Sequence, residues 1–165
     1  MEELLEIQIG KLLRLRGQKL ATAESCTGGL IGHQITSVPG SSGYFDRGLI
    51  VYSNRAKTEL LAIPKKILSR YGAVSQKTAL LMAEGIRKLS GSDLGLAVTG
   101  IAGPGGGTPE KPVGTVWIAL SSTRGEKAGL FLFGGRREQI KILTAYTALN
   151  WVRRFLLDDT FLLSD

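Results

Sequence analysis

The sequence predicts an α/β fold: a three-layer α/β/α sandwich around a mixed, mostly parallel five-stranded sheet. Three observations predict it. Helix-like and strand-like segments alternate along the chain. Two late strands follow one another across a polar turn, which makes the sheet mixed. No repeat or linker divides the 165 residues, the length of one ordinary domain.

Leu5, Ile9, Leu12 and Leu13 recur at helical spacing between Glu2 and Arg16, with acids early and bases late as the helix dipole favours, and Gly17 ends this first helix. Lys19 to Glu24 is a strand leading into Ser25, and a second helix runs from about Thr27 to Val38. After a Pro39–Gly43 turn, Gly48 to Tyr52 reads as a buried strand and Asn54 starts the next helix. Ser75 caps a helix whose apolar positions Ala79, Met82, Ala83, Ile86 and Leu89 share a face until Gly91. Leu94 to Val98 is the third strand. Gly100 to Gly114, rich in glycine and proline, is a functional or mobile loop. Thr115–Leu120 and Ala128–Phe133 pair as a hairpin across Thr123 to Lys127. A long last helix presents Ile142, Tyr146, Leu149, Val152 and Leu156 as its packing stripe.

Apolar residues make up 43% and charged residues 21%, the balance of a chain that buries a core. No segment is apolar for long enough to cross a bilayer and the start carries the wrong charge for a signal peptide, so the expected compartment is the cytoplasm. One cysteine, Cys26, and one histidine, His33, exclude a disulfide within the chain and a metal cage of the usual ligands. A net charge of +7 favours an anionic partner, but the basic residues are scattered and aromatics are few. Nucleic acid is therefore not the expected ligand.

Three candidates fall at strand ends, where open α/β sheets bind ligands. Ser25 lies between a strand and a helix, where converging N–H groups suit an oxyanion; the alternative is that Ser25 or Thr27 is a helix cap. Lys57, on the first turn of the helix after Tyr52-Ser53-Asn54, is either a solvated charge or a lysine made to lose its proton by the helix dipole, able then to deprotonate Ser25. Tyr52 orients or relays, or is a core aromatic. The Gly100–Gly114 loop has neither the P-loop ending nor a G-x-G-x-x-G pattern, so ATP and NAD sites are not supported, and no cofactor is expected. Arg136 and Arg137, after Gly134-Gly135, can receive a phosphate or stand solvated. Cys26 is either a nucleophile or a buried thiol.

Four segments resemble the CinA C-terminal domain family, especially its single-domain nicotinamide-nucleotide amidohydrolases: A-E-S-C-T-G-G at Ala23 to Gly29, V-Y-S-N-R-A-K at Val51 to Lys57, G-A-V-S at Gly72 to Ser75, and the run from Thr99 to Val116. The resemblance extends from the first helix to about Phe155. It implies one amidohydrolase domain over residues 1–165, without the separate N-terminal nucleotide-hydrolysing domain of longer relatives. It also implies a mixed five-stranded sheet between helices, and a metal-free conversion of nicotinamide mononucleotide to nicotinate mononucleotide and ammonia.

By motif, Ser25 is the nucleophile, Lys57 the base, and Tyr52 and Arg137 assist; where many relatives carry Asp before that arginine, this chain has Arg136. Backbone around Cys26, Thr27 and Gly28 would hold the oxyanion, and Gly100, Gly103, Gly105 and Gly106 with Arg136 or Arg137 would bind the pyridine mononucleotide. The alternative function is a non-catalytic pyridine-nucleotide-binding module linked to competence or the DNA-damage response, and another is the same chemistry on a different amide. A homo-oligomer joined through the apolar terminal helices is the expected assembly.

Overall fold

Strand β1 (Leu20–Glu24) is buried at all five positions. It lies second in a sheet of order β2-β1-β3-β4-β5, in the computed structural model, which describes residues 3–164. The other strands are β2 (Phe45–Ile50), β3 (Leu94–Gly100), β4 (Thr115–Ser122) and β5 (Gly125–Leu132). β1 pairs parallel with β2 and β3, whereas β3–β4 and β4–β5 are antiparallel, so β4 alone runs against the other four. The β4–β5 hairpin turns at Thr123-Arg124, a shorter connection than the polar segment suggests.

Alternation along the strands sorts side chains by size between two helical layers. Leu20, Leu94, Leu96, Val98, Val116, Ile118 and Leu120 form one core with helices α1 (Leu5–Arg16), α2 (Leu30–Thr36) and α6 (Arg137–Leu157). On the other face Ala21, Ala23, Ala97 and Ala119 meet α3 (Asn54–Leu61), α4 (Lys65–Tyr71) and α5 (Gln76–Ser90). Small residues on that side let α5 lie close to the sheet: a Cβ at Gly95 would sit 2.1 Å from the Ala83 carbonyl oxygen.

Several boundaries differ from the sequence reading for physical reasons. The second helix begins at Leu30, not near Thr27, because Gly28 and Gly29 take positive φ (60° and 102°) and shape a turn first. β2 is an edge strand with no fully buried residue and stops at Ile50; Phe45 packs against one core and Leu49 against the other. Leu89, 50% exposed, has left the buried face of α5, while Ser75 does cap that helix by accepting from Thr78 N–H. On α6, Ile142 and Tyr146 are exposed, and the packing stripe is made instead by Ile140, Ala145, Ala148, Leu149, Val152, Phe155 and Leu156. Among the described residues no helix is long and apolar enough to cross a membrane.

Candidate active site

The end of β1 is pinned on both sides. Ser25 N–H donates to the Val98 carbonyl at 3.1 Å, and Val51 N–H donates to the Glu24 carbonyl at 2.8 Å. Beyond this point the chain turns through Cys26 to Gly29, and the Glu24 carboxylate organises that turn. It accepts from Thr27 Oγ1 (2.6 Å) and from the N–H groups of Gly29 (3.2 Å), Ile31 (2.9 Å) and Gly32 (3.0 Å). Gly28 N–H is used by the Ser25 carbonyl. The N–H groups of Cys26 and Thr27, next to Ser25, donate to no oxygen among the described residues.

Lys57 arrives from the neighbouring strand. After β2, Ser53 caps α3 by accepting from Ala56 N–H at 3.0 Å, and Lys57 follows one turn in. Its side chain folds back under the strand end and is 1% exposed. Nζ lies 3.1 Å from Ser25 Oγ, 2.8 Å from the Val51 carbonyl and 3.4 Å from the Tyr52 carbonyl. No carboxylate pairs with it among the described residues. Burial without a counter-ion lowers the Lys57 pKa to about 8, Cys26 opposing slightly. The cause is desolvation rather than the helix dipole inferred from its position. A neutral amine has two hydrogens and one lone pair; with the hydrogens on the two carbonyls, the lone pair is free for the Ser25 hydroxyl.

These groups open onto a cleft of about 260 Å³ lined by Ser25, Cys26, Tyr52 and Lys57, by the loop residues Gly100, Gly103, Gly105 and Gly106, and by Arg137. The cleft lies at the carboxyl ends of β1, β2 and β3. Arg137 donates to the Gly103 carbonyl (2.8 Å) and to Tyr52 Oη (2.9 Å), tying the start of α6 to the loop and to the strand-end tyrosine. Tyr52 is 59% exposed, so it is no core aromatic; what reaches Lys57 is its carbonyl, not its phenol. Arg136 lines no part of this cleft, which separates the two arginines that sequence could not. Thr27 is buried against Glu24, and Gly28 lies outside the cleft. Cys26 lines the cleft, but burial pushes its thiol up to about 12, so it stays protonated beside the serine.

Ala73, Val74, Thr99, Ile101 and Ala102 complete the wall; they lie in two of the segments that carry the family resemblance but were given no role of their own from sequence. Thr99 Oγ1 donates to the Ala73 carbonyl at 2.8 Å, holding the Gly72–Ser75 segment against the end of β3. Among the described residues no three His, Cys, Asp or Glu side chains gather as metal ligands.

The fold and cleft define an α/β sandwich protein with a buried serine–lysine contact at the carboxyl edge of its parallel strands. The chain belongs to the CinA C-terminal domain family, which it matches over residues 2–156. It is 52% identical over 155 residues to a CinA-like protein of Geotalea uraniireducens and 53% identical over 155 residues to one of Geotalea daltonii; 94% of this chain is matched in each case. Those alignments cover 37% and 38% of the relatives, so the chain spans little more than a third of their length. The crystal structure of a competence/damage inducible protein from Agrobacterium tumefaciens superposes with a TM-score of 0.90 at 41% identity, covering 93% of this chain and 94% of that one. The competence damage-inducible protein A of Klebsiella pneumoniae also superposes at 0.90, with 32% identity over 93% of this chain and 95% of that one.

Proposed function

We propose that the chain is a nicotinamide-nucleotide amidohydrolase, which hydrolyses the carboxamide of nicotinamide mononucleotide to nicotinate mononucleotide and ammonia. The observation that carries this reading is the 3.1 Å contact between Ser25 Oγ and a buried Lys57, without a carboxylate partner among the described residues, at the floor of a cleft. Neutral Lys57 takes the hydroxyl proton as Ser25 attacks the carboxamide carbon. The Cys26 and Thr27 N–H groups hold the oxygen that becomes negative, narrower than the Cys26-to-Gly28 set inferred from sequence because Gly28 is already engaged. Lys57 then gives its proton to the departing nitrogen, ammonia leaves, and water cleaves the acyl-serine by the same route in reverse.

Ala73, Val74, Ile101 and Ala102 offer the ring an apolar wall, and the glycines of the loop let a ligand approach bare backbone. Arg137, with Tyr52 fixed to it, stands where an anionic group would enter. The test is ammonia release from nicotinamide mononucleotide by the wild type, Ser25→Ala and Lys57→Met. Loss of at least about a thousandfold in both variants is expected for a nucleophile and its base; near-wild-type rates in either refute the assignment. Binding without ammonia release by the wild type makes the chain a nucleotide-binding module instead.

A further inference from the structure

Glu24, the last residue of β1, is 2% exposed and lines no part of the cleft, since its side chain leaves the sheet toward α2 while that of Ser25 turns toward Lys57. No lysine, arginine or histidine pairs with its carboxylate among the described residues. Four donors hold it instead: Oε1 accepts from Thr27 Oγ1 and from the N–H groups of Gly29 and Ile31, and Oε2 accepts from Gly32 N–H. The Glu24 main-chain carbonyl accepts from the N–H of Val51, whose own carbonyl holds Lys57 Nζ. One residue thus ties the turn after Ser25 to the strand end that delivers the lysine. Thr27 is the direct link, because its hydroxyl is bound to Glu24 while its N–H is one of the two donors beside Ser25.

We infer that Glu24, as a carboxylate, is the positioning residue for the oxyanion donors of Cys26 and Thr27, an assignment that rests on the amidohydrolase reading. Gly28 and Gly29 take positive φ, and glycine leaves a turn the widest choice of backbone conformations. Oxyanion donors lower a barrier only when they are aimed at the oxygen before it becomes negative, so a loose turn would waste them. Four bonds converging on one anion fix the turn, and bonds to a charged acceptor are about twice as strong as neutral ones. They also occupy the N–H groups of Gly29, Ile31 and Gly32, as the Ser25 carbonyl occupies that of Gly28, while those of Cys26 and Thr27 stay available at the serine. An amide in place of the carboxylate has one oxygen that accepts and a nitrogen that does not, so part of the set is lost.

The experiment measures ammonia release from nicotinamide mononucleotide across pH by the wild type, Glu24→Gln, Thr27→Val and Thr27→Ser. Calorimetry reads binding of the same nucleotide to Ser25→Ala with and without Glu24→Gln. Glu24→Gln is expected to lower kcat about a hundredfold, the effect of misplacing one oxyanion donor. KM and the calorimetric Kd are expected to stay within about threefold, because the carboxylate touches no part of the cleft. The midpoint of kcat/KM at about pH 8 is expected to stay in place, since burial of Lys57 sets it. Thr27→Val removes one bond to the carboxylate and keeps the N–H; it is expected to cost about tenfold in kcat, and Thr27→Ser to recover most of that loss. These two variants carry the test if Glu24→Gln does not fold. A kcat within about twofold of wild type in Glu24→Gln or Thr27→Val overturns the assignment. So does a Kd that rises as far as kcat falls, a shifted pH midpoint, or an equal loss in Thr27→Val and Thr27→Ser. A wild type that releases no ammonia overturns the amidohydrolase reading and the assignment with it, whereas wild-type turnover with an unmoved Glu24→Gln overturns the assignment alone.

Discussion

A lysine 1% exposed with no carboxylate partner among the described residues opposes folding wherever it is charged. Its pKa is about 8 in the folded chain against 10.5 for a free lysine, so between these values the unfolded chain binds more protons and stability rises with pH. Below about pH 8 both states are protonated and the full cost of the buried ammonium is present. Lys57→Met is therefore expected to raise the melting temperature at neutral pH, by about 2–4 °C for each kcal/mol relieved. The gap to the wild type should close above about pH 10.5, as scanning calorimetry across pH would read. With the neutral amine as base, as proposed, kcat/KM for ammonia release is expected to climb about tenfold per pH unit below about pH 8 and to level off above it. A flat profile would remove Lys57 from proton transfer.

Ser25 and Lys57 were legible at this scale because strand-end position is written into the sequence. Glu24 was not, since its four hydrogen bonds run to N–H groups that carry no residue signature. Nor could spacing separate Arg136 from Arg137, adjacent residues that the start of α6 aims differently.

At the scale of elements, the helices with a clear period were readable and the short or exposed pieces were not. α5 announced itself through Ala79, Met82, Ala83 and Ile86, all buried, bounded by the Ser75 cap and Gly91. α4, seven residues after Pro64, is too short for periodicity to reveal. On α6, aliphatic and aromatic residues lie all round the helix, so pattern alone put Ile142 and Tyr146 inward when small residues, Ala145 and Ala148, make the contact. The same use of small residues sets the spacing of α5 on β3. A methyl group at Gly95 would meet the Ala83 carbonyl oxygen at 2.1 Å and Arg87 Cβ at 2.8 Å, neither of which can withdraw without moving the helix. Gly95→Ala is expected to cost about 2–3 kcal/mol in urea unfolding, in the range of overpacked cores. The strand end that feeds Thr99 and Gly100 into the cleft lies on the same strand, so ammonia release should fall as well. A stability within about 0.5 kcal/mol of wild type would show that α5 is free to shift.

For the whole molecule, the alternation of elements named the fold class, but the strand order could not be read. Gly48 to Tyr52 is as apolar as a central strand, yet β2 is at the edge, because position in a sheet depends on which crossovers pack and not on local composition. Two separate cores result, one on each face of a single sheet, and both include residues of β1, β3 and β4. A shared sheet couples them: neither helical layer can leave without exposing strands that the other needs. The two tryptophans report on them separately, since Trp151 belongs to the α1–α2–α6 core and Trp117 packs against the α3–α4–α5 core. In Trp117→Phe and Trp151→Phe, each retaining one fluorophore, urea unfolding followed by fluorescence is expected to coincide with far-UV circular dichroism of the same variant. Separate midpoints within one variant would show that one helical layer melts off the sheet first. Where the α3–α4–α5 layer is the first to leave, the Ser25–Lys57 contact, which joins the end of β1 to α3, is lost before the rest of the molecule unfolds.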